Sequence, residues 1–166
     1  MSGDVQTAGD ALRVSPGEWR ATAAQLRAEG FDFLQNLTAV DWIKEERIEL
    51  VYHLWSYARR EQRVVKIDLP RAQPEAPSVA GVWRTADWLE REQYDLLGVV
   101  FTGHPDLRRI LMPADWVGHP MRKDYVETAS YNGMPTTRAN TLELLPIWDK
   151  KLWASSSSPT PTPAKR

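Results

Sequence analysis

Three histidines, His53, His104 and His119, and the close carboxylates Glu90 and Glu92 are the residues of this chain best suited to acid–base or metal chemistry. His104 and His119 share a frame, each following a glycine and preceding a proline. A zinc site needs three or four ligands drawn from histidine, cysteine and carboxylate. Two histidines far apart in the chain fall short of that, and a stand-alone metal enzyme using His104 and His119 stands only as an alternative. His53 alternates within a strand pattern and reads as a structural, cross-strand histidine. Glu90 and Glu92 are two apart on a helix and point in different directions, so they do not form an acid–base pair. No Gly-x-Ser-x-Gly elbow, phosphate loop or dinucleotide turn occurs. The chain has no cysteine. That removes thiolate nucleophiles and the all-thiolate iron–sulfur site. No catalytic, cofactor-binding or metal-binding residue is expected.

The elements that would position these groups follow from length and pattern. The 166 residues fit one domain plus tails. A net charge of -1 argues against a nucleic-acid partner, which selects a basic face. The N-terminus lacks the basic and apolar regions of a leader, and the longest apolar run, Leu96 to Phe101, is far short of the roughly 20 residues a spanning helix needs. Membrane association is therefore expected to run through partners. Ser15-Pro16-Gly17-Glu18 opens a helix as a capping box, with Trp19, Ala23 and Leu26 on one face and Gly30 as the stop. Strands are expected over 31–42, 47–57 and 62–69, the first two as a hairpin, with Ile48, Leu50, Tyr52 and Leu54 sharing one face. A loop over 70–77 follows, then a short turn over 79–83. A helix runs from Ala86 to Leu97, capped by Thr85 and stopped by Gly98. Asp87, Arg91 and Asp95 on it have the spacing of an ion ladder. From Val99 the prolines and glycines imply an extended path. Of the eight tryptophans, Trp19, Trp42 and Trp55 are expected in the core, while Trp88 and Trp116 lie among charges.

The domain plan is a flexible N-terminus over 1–13, an α+β domain over 14–112, an extended partner-binding arm over 113–153 and a disordered Ser/Thr/Pro-rich tail over 154–166. The fold class is a two-layer α+β domain, with a mixed or antiparallel sheet of short strands packed by two helices and an extended C-terminal arm.

What remains is a dense run of charge, aromatic and proline. It carries Trp88, Glu90, Arg91, Glu92, Tyr94 and Asp95, then His104, Pro105, Asp106, Arg108 and Arg109, then Trp116, His119, Arg122, Lys123, Asp124 and Tyr125. Arginine forks matched to carboxylates and flanked by aromatics suit a docking surface. Arg108 and Arg109 are expected to matter for assembly more than for folding.

This run resembles the signature of the NuoC family, a small hydrophilic subunit of the NADH–quinone oxidoreductase of respiratory complex I. Phe33-Leu34, Leu37 to Asp41, Val51 to Leu54 with Ser56, and Val82-Trp83 are similar to other recurrent pieces of that family. Leu97, where many members carry an aromatic, and Val126, where many carry proline, depart from it. The resemblance implies a cofactor-free structural subunit in the peripheral arm, on the cytoplasmic side of a bacterial inner membrane. The main partner it implies is the quinone-site subunit (NuoD in the same nomenclature), with iron–sulfur subunits beside it. FMN and iron–sulfur clusters would sit in those partners and carry electrons from NADH to quinone, coupled to proton translocation. The equivalent subunit of a membrane-bound hydrogenase or of a non-NADH quinone oxidoreductase is the alternative within the same superfamily.

Overall fold

The computed structural model describes residues 11–136, in two units divided after Val126. In the first, Leu12–Arg13 (β1) leads into the helix Pro16–Ala28 (α1), followed by the strands Phe33–Trp42 (β2), Arg47–Ser56 (β3) and Glu61–Pro70 (β4). Glu75–Pro77 (β5), the helix Ala86–Leu97 (α2) and Val100–Thr102 (β6) complete it. The main sheet has the order β1-β4-β3-β2, antiparallel except for the parallel β1–β4 pair. The short β5 and β6 pair in parallel as a second sheet.

The alternation in β3 explains the layers. Ile48, Leu50, Tyr52 and Leu54 are fully buried, and so are Val65 and Ile67, their neighbours in β4. Both helices cover this face: Trp19, Ala23 and Leu26 from α1, and Ala86 and Leu97 from α2, join the same core. Polar side chains sew the layers together. Gln93 of α2 accepts from the Ala39 amide and donates to the Leu37 carbonyl, both in β2. Thr85 donates to the Leu34 carbonyl and the Trp83 indole to that of Phe31. Such buried bonds fix the helix register on the sheet, because an unpaired partner there costs about 1–3 kcal/mol.

The α+β class, the two helices and the three long strands agree with the pattern read from sequence. Several local expectations do not. Leu12 and Arg13 are strand, not flexible terminus, because the amides of β4's edge need a partner. The expected loop over 70–77 contains β5, whose mate β6 lies in the segment read as merely extended. Ser15 makes no cap to the backbone; its hydroxyl donates to Glu18 instead. Trp42 is 41% exposed, with the Arg47 guanidinium over its ring, and Trp55 is half-buried on the open face of the sheet, so only Trp19 of that trio is core.

The first unit runs on to Val126, past the boundary expected at 112. In the second unit, Ser130–Tyr131 (β7) and Met134–Pro135 (β8) form a small antiparallel hairpin within the expected arm. Its turn residues Asn132 and Gly133 both have positive φ, as a two-residue hairpin turn requires. Residues 137–153 of the expected arm and the tail over 154–166 lie outside the described residues.

Candidate functional site

Helix α2 carries two fully buried carboxylates, and each organises what surrounds it. Asp95 lies in the last turn. Its Oδ2 accepts the backbone amides of Ile110, Leu111 and Met112, at 3.0, 2.7 and 2.8 Å, and its Oδ1 accepts Arg109 at 2.7 Å. Burial on its own raises the carboxyl pKa. The hydrogen bonds from Met112, Leu111, Arg109 and Ile110 outweigh it and hold the group below the ordinary aspartate range. One carboxylate thereby pins three consecutive residues of a chain that has no sheet or helix of its own.

The same loop caps the helix. The final carbonyls of any α-helix lack internal partners. Here the Asp95 carbonyl accepts His119 Nδ1 and Arg109, the Leu96 carbonyl accepts the Met121 amide, and the Leu97 carbonyl accepts Arg122 Nε. Arg109 also donates to the carbonyls of Trp116 and Gly118. Cationic donors at this end also suit the helix dipole. Two glycines make the close approach possible. Gly98 has φ +74, and a Cβ there would meet the His119 ring at 2.6 Å; Gly118 has φ +82, and a Cβ there would meet the Tyr125 ring at 2.9 Å.

A third anchor reaches across to the sheet. Arg71 forks onto Asp41, at 2.7 and 3.0 Å, and also binds Asp124, while the Lys123 amide donates to Asp41. The Arg71 contact holds both the Asp41 and Asp124 carboxyls below their usual range.

Glu90, near the start of α2, sits differently. It accepts the Ser78 hydroxyl at 2.6 Å and the Val79 amide at 2.8 Å, with no cation against it. Burial therefore dominates and its carboxyl is pushed up to about 7, against the two hydrogen bonds and with help from the Asp87 charge. His104 is enclosed beside it: Nε2 donates to the Asp87 carbonyl, Nδ1 accepts the Asp106 amide, and Glu90 lies 3.9 Å from Nε2.

The structure thus divides the run read from sequence. Glu90, Arg91, Asp95 and His104 face inward and offer a partner little side-chain surface, because they are buried against the chain's own backbone and side chains. Arg109 is largely enclosed by its own contacts, so the equivalence expected of Arg108 and Arg109 fails: the Arg108 side chain is 71% exposed and, among the described residues, forms an ion pair only with Asp106. The expected ladder is also absent. Arg91 lies over the Trp88 ring and donates to the Arg108 carbonyl, while Asp95 turns to the loop. His119 and Arg122 are helix caps, and Trp116 donates its indole to the Tyr125 hydroxyl. Glu92 and Tyr94 are half-buried, and Pro105, Asp106, Lys123 and Asp124 are exposed. Among the described residues no group of three or more metal-ligating side chains comes together, and His104 and His119 are each engaged locally.

Beside the charged residues left outside stand large apolar ones, three on the loop and Trp88 on α2. Trp88 is 61% exposed, Leu111 59%, Val117 71% and Met121 59%. The sequence pattern did not single out the last three, because a hydrophobic residue in a Pro/Gly-rich segment is ambiguous until the backbone shows which way it faces. Asp41 and Arg71 were missed because their partners lie far away in the chain. Among the described residues no helix is long and apolar enough to cross a membrane.

Comparison with known proteins bears on this loop. The family described as respiratory-chain NADH dehydrogenase, 30 Kd subunit, matches residues 12–131. The NADH-quinone oxidoreductase C subunit of Moorella thermoacetica is 50% identical over 116 residues, covering 69% of this chain and 78% of that protein. Matches to the C subunits of two Roseiflexus strains and of Geotalea uraniireducens span 55–58% of their length, so a substantial part of those relatives has no counterpart in the aligned region. A solved trypsin-resistant fragment of Nqo5 is 33% identical with a TM-score of 0.54, covering 57% of this chain and 80% of that one. A chain of an archaeal membrane-bound sulfane sulfur reductase complex is 28% identical with a TM-score of 0.59, covering 73% of this chain and 75% of that one.

Proposed function

The chain belongs to the respiratory-chain NADH dehydrogenase 30 Kd subunit family, and from that premise we propose that it is a structural docking subunit of the peripheral arm of an NADH-quinone oxidoreductase. The observation that carries this reading is the pinned loop over 103–125. Its buried polar groups are consumed in holding one backbone shape, and that shape leaves Leu111, Val117 and Met121 exposed to solvent, as Trp88 and Arg108 also are. A free-standing enzyme has no use for large apolar side chains held outward in this way. A subunit does, because preformed edges spare the ordering cost of association.

In this reading the exposed edge meets the quinone-site subunit, with iron–sulfur subunits adjacent. FMN and the clusters reside in those neighbours and carry the electrons from NADH. This chain contributes position rather than chemistry. It reaches the cytoplasmic face of the inner membrane through the assembly, since the helices described here do not span one. The test is co-purification of a tagged copy expressed in its native host. Flavin and iron–sulfur subunits in the eluate support the proposal, and their absence sinks it.

Similarity to the sulfane sulfur reductase chain supports a second reading, the equivalent position in a respiratory complex that does not use NADH. The same eluate separates the two. NADH-dependent reduction of a quinone by the purified assembly favours the first, and an assembly without flavin and without NADH oxidation favours the second.

A further inference from the structure

The open face of the main sheet ends in a row of aromatic and amide side chains. Phe33, Trp55 and Gln62 are register partners on β2, β3 and β4, and Tyr57 follows as β3 ends, 62% exposed and 5.9 Å from the Phe33 ring. With Gln35, at the bulge in β2, they line a cavity of about 320 Å³. The turn over 57–60 that links β3 to β4 forms its rim, and this turn carries Arg59 and Arg60, with Arg63 just beyond.

Two features set this turn apart. Among the described residues no carboxylate pairs with Arg59 or Arg60; Glu61 is taken by Arg63, and the Asp32 carboxylate accepts the Tyr57 amide. Arg60 also sits at φ +54, a left-handed position that glycine or asparagine would occupy with less strain. Retained strain at a solvent-facing turn points to a side chain kept for contact. Arg59 and Arg63 each lie against the Phe31 ring, their guanidiniums 5.9 and 5.4 Å from its centre.

We propose that this hairpin end is a second docking site, separate from the pinned loop, for an extended acidic segment of a neighbouring protein. One aromatic or branched side chain of that segment enters the cavity between Phe33, Trp55 and Tyr57. Carboxylates flanking it pair with Arg59 and Arg60, and the amides of Gln35 and Gln62 line its path. A single slot beside guanidiniums that no described carboxylate pairs with suits a peptide better than a lipid surface, where several apolar side chains would have to insert together. The site rests on none of the contacts of the loop over 103–125, so it stands or falls independently of the proposed function.

Binding of a fluorescein-labelled glutamate–tyrosine copolymer to the full chain, followed by fluorescence anisotropy, tests the proposal. The copolymer is expected to bind in a salt-sensitive manner, with a lysine–tyrosine copolymer and polyglutamate binding much less. Arg60→Gly is expected to raise Tm while weakening the copolymer, and Arg59→Ser with Arg60→Gly to weaken it by roughly tenfold. Tm is measured on each variant alongside, so that binding lost at an unchanged Tm is not ascribed to unfolding. Tyr57→Ser is expected to remove the preference for the tyrosine-bearing polymer. Unchanged affinity in the double variant overturns the proposal. So does binding only to phosphatidylglycerol vesicles, which would make the patch a lipid contact.

Discussion

The two ends of helix α2 bury the same functional group to opposite effect. At one end Asp95 meets an arginine and three amides and is held ionised. At the other, Glu90 meets a hydroxyl and one amide and is pushed up to about 7. The difference lies in donors. A buried carboxylate stays charged when hydrogen bonds and a cation replace its water, and drifts toward the neutral form when they are too few. Asp95 is thus a permanent charge around which a loop is wound, while Glu90 is a core group whose ionisation works against the fold.

The largest expected effect is at the first of these. Asp95→Ala leaves three amides without their acceptor and Arg109 without its counter-charge, and a loss of about 3–5 kcal/mol in denaturant unfolding is expected, with faster amide exchange at 110–112. A loss under about 1 kcal/mol would erase the contrast between the two ends.

Glu90 gives the next effect, through pH. Its folded pKa of about 7 lies above the ordinary 4.5, so the folded state holds the extra proton between those values. The contribution is complete below pH 4.5 and is lost as pH rises through about 7, a change on the order of 3 kcal/mol. Glu90→Gln should flatten stability across that window. Asp95, Asp41 and Asp124 act with the opposite sign: their stabilisation is complete above the ordinary 3.8 and is lost as pH falls below it. A Glu90→Gln variant with the same pH slope as the parent would place the titration elsewhere.

Gly98→Ala is expected to cost about 2 kcal/mol, read as a lower Tm, because a Cβ at φ +74 would drive into the His119 ring. The smallest stability effect belongs to Arg108→Glu, within about 0.5 kcal/mol, since that side chain is exposed and pairs only locally. Arg109→Met should lose several-fold more stability than Arg108→Glu; equal losses would contradict the division between inner and outer residues.

The fold was legible where periodicity is strong. The bounds of α2 were read from Thr85 and Gly98, and the core face of β3 from simple alternation. β5 and β6 escaped because a parallel pair of three-residue strands leaves no periodic trace. The site was half legible. The density of Glu90, Arg91, Asp95, His104 and Arg109 was visible, but the sequence could not show that these charges are satisfied inside the chain. Composition assigned them to a partner because charged residues are rarely buried, and that rule fails where a loop without secondary structure needs acceptors and donors. Leu111, Val117 and Met121, the residues left facing outward, carried no signal of their own.

The central claim is that the buried set shapes the loop and the exposed set docks it. It is tested most directly by expressing a tagged Leu111→Asp, Met121→Asp chain in the native host beside the parent. Tm of the isolated chain and the co-purified flavin and iron–sulfur subunits are then measured together. The account predicts a Tm within a few degrees of the parent and an eluate stripped of those subunits. A full complement of partners on the doubly charged loop would contradict it.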